Sequence, residues 1–275
     1  GSEMCIRDRN VLESRLHYED GVYSIDQEDL EEKLADPQTS MLILCNPHNP
    51  VGKIWDRETL ERIGELCFKH HVLVLSDEIH CDITRPGMEY IPFASVSEHC
   101  KNNSITCVAP TKTFNLAGLQ TAAVIVPDAA LRHRVNRGLN TDEVAEPNVF
   151  AAIAPIAAFD RGREWLEELR EYLWENRKFA EDFIREEIPE LRTVSADATY
   201  LLWIDCNALP GDLSELAEFI RKESGLYVCD GREYGNGYGF LRMNLACRRE
   251  LLKEGLERLK RSIHSYRKGI SNGII

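Results

Sequence analysis

The most constraining feature of the sequence is a series of short, unbroken apolar runs separated by segments with helical periodicity. The runs lie at residues 41–45, 72–75, 104–108 and 122–126. Strands that are apolar on both faces are typical of parallel sheets covered by helices. A helical segment such as 56–70, which Asp56 can cap, provides the crossover that parallel strands require. The pattern predicts an α/β fold with a mainly parallel sheet.

The pattern changes near residue 160. Residues 163–187 predict one long charged helix, with an apolar stripe formed by Trp165, Leu169, Leu173, Phe179 and Phe183. Shorter strands and helices then alternate irregularly, at 200–205, 213–224, 226–229, 240–245 and 249–262. Such a mixture predicts a small α+β unit.

We therefore divide the chain into a large domain over 10–160 and a small C-terminal domain over 161–275, which includes the long linking helix. Residues 1–9 show no periodic pattern. We interpret them as a non-native or disordered leader and exclude them from the fold prediction.

The charge of the chain limits its partners. A net charge of −13 and a pI near 5.2 argue against nucleic acid and anionic membranes, because both need a basic surface. No apolar run approaches the ~20 residues that span a bilayer. The nine cysteines are odd in number and contain no C-x-x-C pair, so we interpret them as reduced thiols of a cytoplasmic protein.

A metal site is the alternative interpretation of one cysteine and histidine cluster. Its members lie close in sequence: Cys67, His70, His71, His80 and Cys81. Their spacing matches no established ligand pattern, so we predict no metal.

Polar residues follow three of the predicted strands, at 46–52, 76–80 and 109–115. The carboxyl ends of parallel strands form the ligand-binding edge of open α/β sheets. We therefore expect the chemistry of this chain at these three places.

Lys112 is the most informative residue among them. It is the only charged side chain between Lys101 and Asp128. Partial burial lowers the pKa of a lysine and makes its amine a nucleophile toward carbonyl groups. The alternative is a lysine whose ammonium extends to solvent from a loop.

Asp77 and Arg242 are two further candidates. Asp77 follows a buried strand and would need a cationic partner, such as a protonated heterocyclic nitrogen, unless it is an ordinary helix cap. Arg242 lies inside an apolar strand, where its planar fork could hold a ligand carboxylate or a structural Asp or Glu.

Two other motifs suggest different functions, but each matches its pattern only in part. Residues 77–80 resemble a Walker-B box, but the only nearby Gly-Lys, at 52–53, is followed by Ile54 and lacks the rest of a phosphate loop. The glycine-rich stretch 235–239 precedes a strand instead of opening a helix, so we interpret it as a turn and not a dinucleotide loop.

Taken together, the motifs resemble the fold-type I pyridoxal-phosphate (PLP) enzymes of the aminotransferase class I/II superfamily. The match runs from about residue 10 to 265. It rests on N-P-x-N-P-V-G at 46–52, S-D-E-I-H at 76–80, A-P-T-K-T-F-N-L-A-G-L at 109–119 and F-L-R-M-N at 240–244. Within the superfamily the chain is most similar to the MalY/PatB-type cystathionine β-lyases.

The resemblance implies a role for each residue. Lys112 would form the Schiff base with PLP and then act as acid and base, and Asp77 would pair with the pyridinium nitrogen. Asn49 would donate to the phenolic oxygen of the ring, with His80 beside that oxygen. Arg242 would hold the substrate carboxylate.

The sequence departs from the family pattern in places. Ala109 stands where many relatives bind the cofactor phosphate through a serine, and Gln120 stands where an arginine is common. Residues 1–23 supply neither the phosphate loop and stacking aromatic of the family nor the tyrosine lent to the partner subunit. We therefore expect a truncated chain, with an unpaired sheet edge and uncovered apolar surface, that binds PLP poorly or not at all.

The predicted function is that of a PLP-dependent C–S β-lyase, which eliminates a thiol from cystathionine-like amino acids to give pyruvate and ammonia. An aminotransferase on the same scaffold is the nearest alternative. A non-catalytic regulator that binds a protein is the alternative of another class. The resemblance also implies a homodimer in the full-length parent.

Overall fold

Three separate β-sheets carry the strands of the chain in a computed structural model that describes residues 10–272. The first is a hairpin, the second a four-stranded sheet of order β3-β4-β5-β6, and the third a four-stranded sheet of order β7-β8-β10-β9. The strands are β1 Leu16–Glu19, β2 Val22–Ile25, β3 Met41–Cys45, β4 Leu73–Asp77, β5 Ser104–Val108, β6 Ala123–Ile125, β7 Arg192–Thr193, β8 Leu201–Asp205, β9 Cys229–Asp230 and β10 Phe240–Asn244.

Helices cover these sheets and connect them. They are α1 Gln27–Leu34, α2 Arg57–Lys69, α3 Glu98–Asn102, α4 Pro110–Thr113, α5 Ala129–Thr141, α6 Phe150–Arg161, α7 Arg163–Glu187, α8 Leu216–Ser224 and α9 Arg249–Ser271. Short 3₁₀ turns lie at Phe93–Ser95, Ala117–Leu119, Leu213–Glu215 and Gly231–Tyr234. None of the helices within 10–272 combines the length and the apolar character needed to cross a bilayer.

The sheet of β3 to β6 is mainly parallel, as the sequence predicts. β3 pairs with β4 and β4 with β5 in parallel, whereas β6 runs antiparallel to β5. The register places Cys45, Asp77 and Cys107 side by side on neighbouring strands. The three predicted strand ends therefore lie at one edge of the sheet.

Local sequence explains the helix beside this sheet. The Asp56 side chain accepts a hydrogen bond from the Thr59 amide and caps α2. The apolar residues of α2 recur at helical spacing, so one face is buried against the sheet. The buried side chains of that face are Leu60, Ile63, Leu66 and Cys67.

The same sheet leaves apolar side chains exposed at both edges. On β3, predicted as a buried strand, Met41 and Ile43 are 45% and 50% exposed. All three residues of β6 are exposed, and α6 exposes a row of large apolar side chains, namely Phe150, Ile153, Ile156 and Phe159. The uncovered apolar surface expected from the sequence is therefore present. The prediction of full burial on β3 was wrong because β3 is an edge strand with one open face.

The buried face of α7 differs from its predicted apolar stripe. Trp165 of that stripe is 47% exposed, whereas Asn176 and Arg177 are fully buried. Asn176 donates to the carbonyl oxygens of Leu245 and Cys247, at 3.0 and 2.9 Å, and Arg177 donates to that of Leu201. These long side chains satisfy backbone acceptors at strand ends, which apolar side chains could not do.

The sheet of β7 to β10 is antiparallel and packs against α7, α8 and α9. Its core includes Leu202, Ile204 and Leu241, with Leu256 and Leu259 from α9. The hairpin β1–β2, which the sequence did not reveal, packs its tyrosines against Trp203 and Phe240 on the other face of this sheet.

Candidate active site

The ends of β3, β4 and β5 place the predicted site residues around one cleft. Asp77 is the last residue of β4, Asn49 lies in the loop after β3, and Lys112 lies in the short helix after β5. Arg242 comes from β10 of the other sheet. Its Nη1 donates to Oδ1 of Asn49 at 3.3 Å across 193 residues of sequence. The predicted residues are thus drawn from both sheets to one place.

Asp77 is half-buried, and within the described residues it has no ion-pair partner. Its Oδ1 accepts only the Ile79 amide, at 3.3 Å. Burial raises the pKa of this carboxyl, and the Ile79 amide and the charge of Lys112 oppose that shift. The carboxylate would therefore gain from a cationic ligand in the cleft.

Lys112 lies in the single turn of α4 and is half-buried. Thr113 beside it is buried and donates to Oδ2 of Asp82 at 2.8 Å, which fixes the turn to the loop after β4. Ala109 occupies the N-cap position of the turn and makes no side-chain cap bond. The sequence thus places the lysine amine on a short, well-anchored turn at the mouth of the cleft.

His80 is 3% exposed and lies edge-on to Tyr200, with 5.8 Å between ring centroids. Burial lowers the pKa of the imidazole to about 4, and the charges of Lys112 and Arg242 act in the same direction. His80 is therefore neutral at neutral pH. Its Nδ1 is buried and makes no hydrogen bond within the described part of the chain.

The Arg242 guanidinium lies among neutral groups. Besides Asn49 it contacts Cys229, whose Sγ accepts from Nη2 at 3.3 Å, and the ring of Tyr234, whose centroid lies 4.5 Å from Cζ. No described carboxylate pairs with it. The structural Asp or Glu that the sequence left open is therefore not present within 10–272, and the guanidinium remains available to a ligand carboxylate.

The buried carboxyl of Glu78, next to Asp77, stabilises the chain that follows β4. Glu78 is 2% exposed, and its Oε1 accepts from Ser76 Oγ at 2.8 Å and from the Phe93 amide at 3.0 Å. Burial raises the pKa of Glu78. The nearby Tyr90 hydroxyl donates to the Asn46 carbonyl oxygen at 3.0 Å, which ties the loop after β3 to the loop after β4.

Sequence reasoning missed three residues of the site: Tyr200, Cys229 and Tyr234. Tyr200 directly precedes β8, and its position in a TYLLW stretch was interpreted only as a strand. Cys229 and Tyr234 lie outside the recognised motifs, but Tyr234 directly precedes the glycine-rich stretch that we interpret as a turn. That stretch was the available signal, because clustered glycines indicate close backbone approach.

The arrangement suits one class of ligand better than a metal. Between residues 10 and 272, no group of three or more Cys, His, Asp or Glu side chains could hold a metal ion, and the described cysteines are free thiols. The cleft instead offers an amine, a carboxylate and a guanidinium, and neither of the last two has an ion-pair partner among residues 10–272. These groups fit a ligand that carries a cationic nitrogen at one end and a carboxylate at the other.

A mainly parallel sheet with these residues at its strand ends has the architecture of the fold-type I PLP transferases. The chain belongs to the family described as aminotransferase class I and II, whose sequence model matches residues 6–259. The superfamily and the fold class predicted from the sequence are thereby confirmed.

The similarity extends to particular relatives. The chain is 43% identical over 256 residues to cystathionine β-lyase PatB of Bacillus subtilis (strain 168), covering 93% of this chain and 66% of PatB. It is 32% identical over 261 residues to MalY of Escherichia coli (strain K12), covering 94% of this chain and 66% of MalY. The crystal structure of cystalysin from Treponema denticola, which contains a pyridoxal 5'-phosphate cofactor, matches with a TM-score of 0.88 at 31% identity, over 95% of this chain and 66% of cystalysin. The chain thus spans about two thirds of the length of these relatives.

Proposed function

We propose that the chain carries the catalytic residues of a PLP-dependent C–S β-lyase that acts on cystathionine-like amino acids. The observation that carries the proposal is the contact of Arg242 with Asn49 in the same cleft as Asp77, Lys112 and His80. The printed names of PatB and cystalysin, and the cofactor of the latter, support the assignment.

The residues of the cleft fit the cofactor. Asp77 has no ion-pair partner in the part of the chain that the structure describes, and the protonated pyridine nitrogen of PLP would provide one. The Nδ1 of His80 is buried without a partner in the described chain, and an oxygen on the cofactor ring would provide one. Asn49 would also hold the ring, and the backbone of Ala109 would hold the phosphate.

When bound, PLP supplies an electron sink for the charge that develops at the substrate Cα. Lys112 would hold the cofactor through its Nζ and, once released by the substrate amine, would remove the proton from Cα. Asp77 would keep the ring nitrogen protonated. His80, neutral because of its burial, would add no competing positive charge beside the ring.

Arg242 would bind the substrate carboxylate with its planar fork and fix the Cα–H bond relative to Lys112. Departure of the thiol from Cβ then leaves an unsaturated amino acid, which hydrolyses to pyruvate and ammonia. The neutral surroundings of Arg242 favour this role, since no described carboxylate competes for the guanidinium.

The test is an assay for free thiol and pyruvate from L-cystathionine with no keto acid, using the chain incubated with excess PLP. With PLP in excess to offset weak binding, we expect low rates of both products from the parent and neither product from Lys112→Ala, with Lys101→Ala on the exposed surface as the control. An unchanged rate in Lys112→Ala would refute the role of the lysine. The weak cofactor binding expected from the sequence stays a prediction, and an absorbance titration with PLP measures it.

An aminotransferase on the same scaffold is the second candidate, and the family description favours it. The aminotransferase would be favoured if the chain formed a new amino acid only when a keto acid was added and released no thiol. A regulator without activity would give neither product.

The domain organisation, oligomeric state, cellular location and partners are part of the same proposal. We propose a division near residue 160 into a large domain over 10–160 and a small domain over 161–275, and a homodimer in the full-length parent. We further propose a cytoplasmic enzyme that acts on a small amino acid and engages neither nucleic acid nor membrane. The acidic charge supports the absence of nucleic-acid and membrane partners. The free thiols of the described cysteines support the cytoplasmic location.

A further inference from the structure

The segment Gly231–Tyr234, which directly precedes the glycine-rich stretch 235–239 predicted as a turn, contacts the proposed substrate-binding arginine. Gly231 to Tyr234 form a 3₁₀ turn directly after β9, and the chain then returns to enter β10 at Phe240. We propose that this segment is a positioning device, in which Tyr234 holds the guanidinium of Arg242 in the orientation that binds the substrate carboxylate. This inference rests on the proposed function.

The first support is the stacking of the two side chains. The Arg242 Cζ lies 4.5 Å from the centroid of the Tyr234 ring. A guanidinium over an aromatic face is attracted to it, and its plane is restrained by the contact. The ring thus limits the rotations that the long arginine side chain would otherwise sample.

The second support is that the guanidinium is held on its other sides by weak, neutral acceptors. Nη1 donates to Asn49 and Nη2 to the sulfur of Cys229, each at 3.3 Å. Neither contact neutralises the charge. The guanidinium is therefore oriented by its neighbours and still needs an anion.

The third support is that the Tyr234 ring is itself held rigidly. It lies edge-on to Trp203 at 5.9 Å between centroids, within the cluster that also contains Phe240. The backbone on either side approaches closely, since a Cβ at Gly231 would lie 2.7 Å from the Phe240 carbonyl oxygen and would overlap that of Gly237. The glycines are thus needed to bring the tyrosine beneath the arginine.

The test compares three variants of the PLP-loaded enzyme. Tyr234→Leu removes the aromatic face, and Tyr234→Phe keeps it. Tyr238→Leu is the matched control: it lies four residues further on, is 48% exposed, and bonds Asp212 at 3.0 Å. We expect Tyr234→Leu to raise KM for L-cystathionine roughly three- to thirtyfold, because a guanidinium that is no longer restrained binds the substrate carboxylate less well. Tyr234→Phe and Tyr238→Leu should keep the KM of the parent.

A second readout needs neither activity nor cofactor. The ring should shield the Arg242 Nε–H proton, so its NMR resonance should lie upfield of the random-coil position, with Arg242→Lys identifying the signal. The displacement should persist in Tyr234→Phe and vanish in Tyr234→Leu.

The outcomes separate this inference from the proposed function. A random-coil Arg242 resonance in the parent would overturn the positioning role even if Tyr234→Leu failed to fold. A KM in Tyr234→Leu equal to that of the parent, or an equal rise in Tyr238→Leu, would overturn it as well. Absence of thiol release from the parent would refute the lyase alone, and the resonance would still decide the position of Arg242.

Discussion

Among the described residues, Asp77 and Arg242 have no ion-pair partner, and His80 Nδ1 makes no hydrogen bond. A buried carboxylate, imidazole nitrogen or guanidinium without a partner costs free energy, so its presence indicates a ligand that completes it. The three groups differ in kind: an acceptor of positive charge, a neutral ring nitrogen, and a donor to a carboxylate. Their combination, more than any single residue, supports the proposed function.

Replacing Asp77 with Asn tests the charge at this position. The amide can still accept from the Ile79 amide but cannot hold a proton on the cofactor ring. We expect kcat for pyruvate formation to fall about a hundredfold or more, as for other preorganised electrostatic partners. Asp212→Asn, at an exposed residue in the connection between β8 and α8, is the control. A kcat for Asp77→Asn within about threefold of the parent would contradict the assignment.

His80 makes a prediction about acid stability. Burial lowers its pKa in the folded chain to about 4, against an ordinary value of about 6.5, so folding excludes a proton that the unfolded chain binds between these values. The contribution of His80 to the free energy of unfolding is fully present above about pH 6.5. It falls as the pH drops toward 4, by up to about 3 kcal/mol.

Urea unfolding of the cofactor-free chain from pH 7 to pH 4 measures this effect. We expect His80→Gln to lose less free energy of unfolding over this range than the parent. His264→Gln, on the exposed face of α9, is the control. It shows whether replacing any histidine reduces the loss of unfolding free energy between pH 7 and pH 4. Parallel pH profiles of the parent and His80→Gln would rule the explanation out.

At the scale of elements, the site depends on short connections between strands and not on the strands themselves. The turn of α4 is fixed by the bond from Thr113 to Asp82, and the loop after β3 by the bond from Tyr90 to Asn46. The segment after β9 is fixed by the close approach of its glycines. Each connection holds a functional side chain because the flanking strands define where it begins and ends.

Gly231→Ala tests the tightest of these connections. The added methyl group has no room against the Gly237 and Phe240 carbonyl oxygens, so the backbone must shift. We expect a loss of about 2 kcal/mol or more in the free energy of unfolding, measured by urea denaturation. Gly138→Ala, in open space on α5, should instead gain about 0.5–1 kcal/mol because alanine favours the helix. Equal effects of the two substitutions would refute the steric argument.

At the scale of the whole molecule, burial is uneven. The sheet of β7 to β10 encloses a continuous core with α7, α8 and α9, whereas α6 and β6 present large apolar side chains to solvent. Exposed apolar surface of this extent is typical of an interaction site. It supports the homodimer proposed for the full-length parent.

This surface predicts self-association of the chain. Ile153 is 63% exposed at the centre of α6, so Ile153→Asp removes apolar contact area and adds charge. We expect sedimentation velocity to show association of the parent that weakens in Ile153→Asp. Leu251→Asp, 55% exposed on α9, is the control. A parent that remains monomeric at concentrations of tens of micromolar would contradict the prediction.

Much of the fold could be predicted from the sequence because its signals are local. The bounds of β3, β5 and α7 coincide with the predicted runs at 41–45, 104–108 and 163–187. Asp56 and Asp26 cap the helices that follow them. The hairpin β1–β2, α5 and the end of α9 were not predicted. The hairpin does carry a signal, because Asp20-Gly21 lies between alternating apolar residues and both residues have positive φ. Asp128 likewise caps α5.

The sequence by itself determined the order of strands and helices, the polar residues at the strand ends and the superfamily, since periodicity, capping and short motifs act over a few residues. Only the tertiary structure decided that Arg242 reaches Asn49, that Tyr234 lies beneath that arginine, and that Arg177 is buried where an apolar stripe was expected. These contacts join residues far apart in the chain, and they depend on how the sheets and α7 pack together. That packing is set by the summed burial of many side chains, which no local pattern records.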